Sequence, residues 1–113
     1  MLAKNKRLKK NKDFDSVFKE GKSAYGGFLG VKIKKNDLEI SRFGLLLGIK
    51  VSKLAVIRNL YKRRIKAVLQ QTVSNTKNGY DLVIIVLPTI KNKTYQEIET
   101  EIKNLFIKLK FYK

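Results

Sequence analysis

Apolar positions along this chain recur in three rhythms, and each rhythm predicts an element. From Lys12 to about Glu20, Phe14, Val17 and Phe18 fall at the i, i+3, i+4 spacing of one helical face, with Asn11 placed to cap the helix and Gly21 to stop it. The period changes to two between Tyr25 and Lys35, putting Leu29, Val31 and Ile33 on one side of a strand and Phe28, Gly30, Lys32 and Lys34 on the other. Arg42 to Val51 reads as a second strand, and the turn-like Lys35–Glu39 between the two predicts antiparallel pairing. Gly44 and Gly48 in this strand are consistent either with a bulge or close helix packing, or with backbone open to a ligand.

The second half is more regular. Ser52 is placed to cap a long helix reaching about Thr72, in which Leu54, Ile57, Tyr61, Ile65, Val68 and Leu69 share the arc to be buried. Val56, Leu60 and Ala67 fall near its far side, partly exposed. Tyr80 to Leu87 is a continuous apolar run, as in a central strand covered on both faces, and Pro88 ends it. Thr94-Tyr-Gln-Glu97 is a capping box opening a last helix with Tyr95, Ile98, Ile102, Leu105, Phe106 and Leu109 on its inner face. The order α-β-β-α-β-α predicts an α+β domain, helices packed on a small sheet, with one sheet face or groove partly open. Residues 1–113 read as a single domain, in which 1–11 form a basic arm.

Charge turns this scaffold toward a function. The 113 residues hold 26 Lys or Arg against 9 Asp or Glu, a net +17, while 43% apolar content supports a folded core. Between Lys50 and Lys66 stand Lys50, Lys53, Arg58, Lys62, Arg63, Arg64 and Lys66, and no acid occurs from Ile40 to Tyr80. Solvated helix faces usually mix Lys with Glu at i, i+4, so this run calls for an external polyanion. On the helical wheel Arg58, Asn59, Lys62, Arg63 and Lys66 fan along one flank of the buried arc, and Arg64 lies on the other. Arg7, Lys9 and Lys10 in the arm are further candidate phosphate contacts.

The chain has no Cys and no His, which removes disulfides, thiolate sites, and the commonest general base and metal ligand. Asp13 with Asp15, and Glu97 with Glu99 and Glu101, sit where helices begin and suit the helix dipole better than a catalytic pair. No apolar run approaches a membrane span, and no secretory core follows the basic start, so a cytoplasmic protein is expected. Lysines give affinity for phosphates, and rings stack on unpaired bases. Phe14 and Phe18 are either core or the wall of a groove that takes such a base. Together with Phe28 and Lys32 they favour structured RNA with a single-stranded segment over duplex DNA. A ribosomal or RNA-chaperone protein, and a peripheral membrane binder, are the competing classes.

Arg58-Asn59 followed by Lys62-Arg63 resembles the signature helix of the bacterial ribonuclease P protein subunit. Arg7-Leu-Lys-Lys-Asn-Lys-Asp-Phe14, Val17-Phe-Lys-Glu-Gly21, Arg42-Phe-Gly-Leu45 and the strand ending at Pro88 fall in that family's order. The sequence departs from the pattern at Leu60 and Tyr61, at Ile49 before Lys50, and on the first strand, where Phe28 is out of register and Val31 is aligned. The resemblance implies a ribosomal protein S5 domain 2-like α+β fold with a left-handed βαβ crossover through the basic helix. It further implies a non-catalytic partner of a catalytic RNA that removes the 5′ leader of precursor tRNA, with Mg²⁺ held by the RNA. Under it, Lys50, Lys53, Arg58, Asn59, Lys62, Arg63 and Lys66 contact the catalytic RNA, Phe14, Phe18, Phe28 and Lys32 line the leader cleft, and the protein holds no metal.

Overall fold

A computed structural model describes residues 7–113 of the chain. Helix α1 (Asn11–Glu20) is followed by β1 (Lys22–Tyr25), β2 (Leu29–Lys35) and β3 (Arg42–Leu46). Helix α2 (Ala55–Thr72), β4 (Tyr80–Val86) and α3 (Tyr95–Lys108) complete the order, with short 3-10 turns at Val73–Asn75 and Pro88–Ile90. The fold is mixed α+β, with one four-stranded sheet in the order β1-β2-β4-β3.

The expected apolar strand β4 lies inside the sheet, antiparallel to β2 and parallel to β3, with Leu82, Val83 and Ile84 fully buried. This placement overturns the expected β2–β3 hairpin. The connection between those strands wraps the start of β4 instead: Asn36 donates from its backbone to the Gly79 carbonyl and from its side chain to Asp81. Ser41 accepts from the Tyr80 N–H and donates to the Lys77 carbonyl. Between β2 and β3 both backbone edges of β4 are paired, which an edge position would not allow. The expected single strand from Tyr25 is also corrected to a hairpin, because Gly26-Gly27 form its turn rather than its start. The strand expected to reach Val51 ends at Leu46, after which a turn closes from the Val51 N–H to the Gly48 carbonyl and buries Val51.

The two sheet faces are covered unequally. One packs against α2 and α3 through Tyr61, Ile65, Val68, Leu69, Ile98, Ile102, Leu105 and Phe106. Phe111 closes this core edge-on against Phe43, Tyr80 and Phe106. The other face carries α1 and Leu8, which with Val17 and Val83 form a much smaller cluster. The buried arc of α2 runs as expected from Tyr61 to Leu69, and Ile57 is partly buried. Leu54 is corrected: it is the N-cap position and 62% exposed, since the helix begins at Ala55 rather than directly after Ser52.

The capping box of α3 is present in both directions, Glu97 N–H to the Thr94 hydroxyl and Thr94 N–H to the Glu97 carboxylate. The Thr94 backbone bond, with Thr94's side chain and Lys93 adding to it, holds the Glu97 carboxyl below its ordinary pKa. A lowered carboxylate pKa stabilises the fold above the ordinary carboxylate range, and that stabilisation is lost as pH falls through the lowered value. Loss of the N-cap hydroxyl in Thr94→Ala is expected to cost about 1 kcal/mol in thermal unfolding at neutral pH. The deficit of Glu97→Gln in the same measurement should shrink on acidification, and a deficit constant down to acidic pH would refute the charge contribution.

Candidate nucleic-acid interface

The sheet face under α1 is a set of three rows defined by strand register. Arg42, Asp81 and Lys34 stand side by side in the first, Gly44, Val83 and Lys32 in the second, and Leu46, Ile85 and Gly30 in the third. Helix α1 crosses the strands over the first two rows. Asp13 reaches Arg42 at 3.4 Å, the Phe14 ring fills the space above Gly44, Ser16 accepts from Lys34, and Lys32 lies 5.1 Å from the centre of the Phe18 ring. A Cβ on Gly44 would stand 2.6 Å from the Phe14 ring, so the glycine admits the ring.

Phe14 and Phe18 are both partly buried, touching the small core and the surface at once. The third row remains half open beside them, with Ile85 partly buried and Leu46 38% exposed. Phe14, Phe18 and Lys32 thus come together as one basic, ring-lined strip. Phe28 does not join them. It is buried on the α2 and α3 side, with Lys93 5.3 Å from its ring centre.

The position of α1 depends on a charge pair that periodicity did not reveal. Arg42 donates from Nε and Nη2 to the two carboxylate oxygens of Asp81, at 2.9 and 2.7 Å, and its Nη1 faces Asp13. Asp81 is buried and also accepts from Asn36. The Asp81 hydrogen bond is the largest influence raising the Arg42 pKa, against the opposing effect of burial. Bidentate geometry of this kind is among the strongest charged contacts.

Helix α2 forms a second basic surface. Its cations divide into those the protein uses and those it leaves over. Arg58 donates to the Ser52 carbonyl at 2.7 Å and ties down the loop before the helix. Arg64, on the opposite flank, donates to the Lys93 carbonyl at 2.9 Å, while the Tyr61 hydroxyl beneath it accepts from the Asn92 N–H. The side chains of Asn59, Lys62, Arg63 and Lys66 make no hydrogen bond or ion pair among the described residues. With Val56 they border a surface depression of about 590 Å³. The helix starts without a side-chain cap or an acid in its first turn, next to exposed Lys50 and Lys53.

Of the basic arm, residues 1–6 lie outside the described residues. Arg7 bridges to Phe43, the Leu8 N–H bonds the Phe43 carbonyl at 2.8 Å, and Lys9 and Lys10 are exposed. The expected basic arm is thus attached to the β3 edge by the time it reaches Arg7, and Leu8 is buried under α1. Among the described residues no group of three or more metal-ligating side chains occurs, and no helix is long and apolar enough to cross a membrane.

A small mixed sheet with a parallel β3-α2-β4 crossover through a cationic helix, and a ring-lined strip on the opposite face, defines an α+β protein of the RNA-binding class. Residues 2–110 match the family model described as Ribonuclease P. The chain is 35% identical over 111 residues to the ribonuclease P protein component of Pseudanabaena, covering 97% of this chain and 96% of that one. It is 39% identical over 103 residues to that of Clostridioides difficile, covering 90% of each. Among solved structures it superposes on a Staphylococcus aureus RNase P protein mutant with a TM-score of 0.90 at 26% identity, over 96% of this chain and 92% of that one. A Thermotoga maritima RNase P protein bound to a fluorophenyl thiourea gives 0.81 at 28%, over 88% and 95%. The chain belongs to the ribonuclease P protein component family, the protein subunit of an enzyme whose catalyst is RNA.

Removing Arg42 would leave Asp81 buried beside Asn36 alone. Arg42→Ala is expected to cost about 2–4 kcal/mol in denaturant unfolding, near the range for breaking a buried pair. Asp13→Ala, which loses one long and more exposed contact, should cost less than about 1 kcal/mol. The reverse order would show that Asp13, not Asp81, is the anchor.

Proposed function

We propose that this subunit holds the catalytic RNA of ribonuclease P with one face and the 5′ leader of precursor tRNA with the other, assisting hydrolytic removal of the leader. The observation carrying this reading is the meeting of Phe14, Phe18 and Lys32 at a half-open sheet row, on the face opposite the helix α2 packing. Rings beside a cation stack on unpaired bases while the cation meets the backbone phosphate. Duplex RNA hides its bases, so such a strip suits the single-stranded leader.

Asn59, Lys62, Arg63 and Lys66 form the contact with the catalytic RNA, supported by Lys50 and Lys53 at the helix start and by Arg58, which orders that start. Arg7, Lys9 and Lys10 add phosphate contacts. The Mg²⁺ ions that activate water for phosphodiester cleavage belong to the RNA. The protein's residues position the leader and neutralise phosphate charge around that RNA. The complex works in the cytoplasm, as one RNA-binding domain with its basic arm.

Reconstitution tests the whole reading: purified protein should rescue precursor-tRNA cleavage by bacterial ribonuclease P RNAs at low Mg²⁺, and failure with several such RNAs would refute it. Phe14→Ala should weaken binding of leader-bearing precursor by about 1–3 kcal/mol per stacked base and leave leaderless tRNA unaffected. Equal losses on both substrates would assign the ring to the core alone. Lys62→Ala should lower the salt slope of binding to the catalytic RNA by about one counterion. An unchanged slope would show that this cation is solvated in the complex.

A further inference from the structure

Tyr25 ends β1 and is half exposed, at 50%. It stands opposite Gly30 across the β1–β2 pair. Gly30 shares its side of β2 with Lys32 and Lys34, whose amines reach the Phe18 ring and Ser16 on α1. Tyr25 therefore belongs to the face that carries α1, at the β1 end of the half-open row Leu46-Ile85-Gly30.

The ring occupies the place a side chain at position 30 would take. A Cβ on Gly30 would lie 2.4 Å from Cε1 and 2.6 Å from Cδ1 of Tyr25. Gly30 has no left-handed backbone angle, so the ring, not the backbone conformation, is what excludes a side chain there. A ring laid on a cross-strand glycine is held from below yet keeps its outer surface in water.

The turn next to it is fixed by four hydrogen bonds. Gly26 N–H donates to the Leu29 carbonyl, Gly27 and Phe28 N–H donate to the two Glu101 carboxylate oxygens at 3.1 and 3.0 Å, and the Thr89 hydroxyl donates to the Gly27 carbonyl. An aromatic surface immobilised before binding loses little entropy on contact with a base.

We propose that Tyr25 is a third base-stacking surface for the 5′ leader, at the far end of the strip that Phe14 and Phe18 border, and that Gly30 is the residue that allows it. The strip then crosses three inter-strand spacings, about 14 Å from β3 to β1. This inference rests on the reading that the strip holds the leader.

The test uses holoenzyme reconstituted from full-length protein and precursors whose leaders are shortened one nucleotide at a time. Tyr25→Ala should weaken binding of long-leader precursor by roughly 5- to 100-fold. That loss should vanish once the leader is too short to reach β1, Tyr25→Phe should restore binding, and Gly30→Ala should reproduce the loss without adding to it in the double variant. Full binding by Tyr25→Ala with a long leader, or the same loss at every length, overturns the proposal. Phe14→Ala measured alongside separates the two readings. Leader-dependent loss for Phe14 but not Tyr25 removes only the third surface, whereas leader-independent results for both remove the strip as a leader site. Ultraviolet cross-linking of the unaltered complex with a 4-thiouridine leader needs no variant: an adduct on the Tyr25 peptide supports the contact, and adducts confined to other peptides overturn it.

Discussion

β4 carries apolar side chains on both faces, and both must be kept from water. Leu82 and Ile84 point to one side and Val83 and Ile85 to the other, so helices are needed above and below the sheet. The chain meets this requirement unequally. Two long helices and the Phe111 tail seal one side, while ten residues of α1 and Leu8 cover the other. A short helix lying across β3, β4 and β2 cannot cover every row, and the row left half open lies beside the Phe18 ring and the Lys32 amine. The ring-lined strip follows from how the apolar faces are covered, without any loop devoted to it.

The same constraint explains why one arginine is placed where a lysine would serve poorly. Asp81 opens β4 at the sheet's end, buried beneath the start of α1. A buried carboxylate needs its oxygens satisfied, and the planar guanidinium of Arg42 reaches both from the neighbouring parallel strand. Its third nitrogen faces Asp13 in the first turn of α1. The pair therefore links β3, β4 and α1, and so sets where Phe14 meets Gly44.

Long periodic segments were legible in the sequence: the inner faces of α2 and α3, the capping box at Thr94, the central placement of β4 and the pairing of Phe14 with Phe18 on one side of α1. Short and non-local features were not. Lys22–Tyr25 has only Ala24 pointing into the main core, so β1 lacks an apolar alternation of its own, and Gly26-Gly27 fall inside the expected strand although they form a hairpin turn. The local turn signal between β2 and β3 competed with the burial demand of β4, forty residues away, and burial prevailed. Phe28 looked like a partner of Lys32 from alternation alone, but it sits in the turn before the ladder begins, where the period of two no longer decides the facing. Tyr25 was missed for a related reason. Its significance comes from the glycine across the strand, a pairing that only register reveals.

The cations follow a division that neither composition nor the wheel shows. Arg42, Arg58 and Arg64 each donate to a carboxylate or carbonyl within the protein, fixing α1, the entry to α2 and the loop before α3. Lys62, Arg63 and Lys66 remain uncommitted among the described residues on one flank of α2. A chain at +17 repels itself, and the surplus on α2 is one part of that repulsion that the fold does not relieve. A polyanion bound there would remove that repulsion as well as form contacts, and so would couple association to folding stability through the same residues.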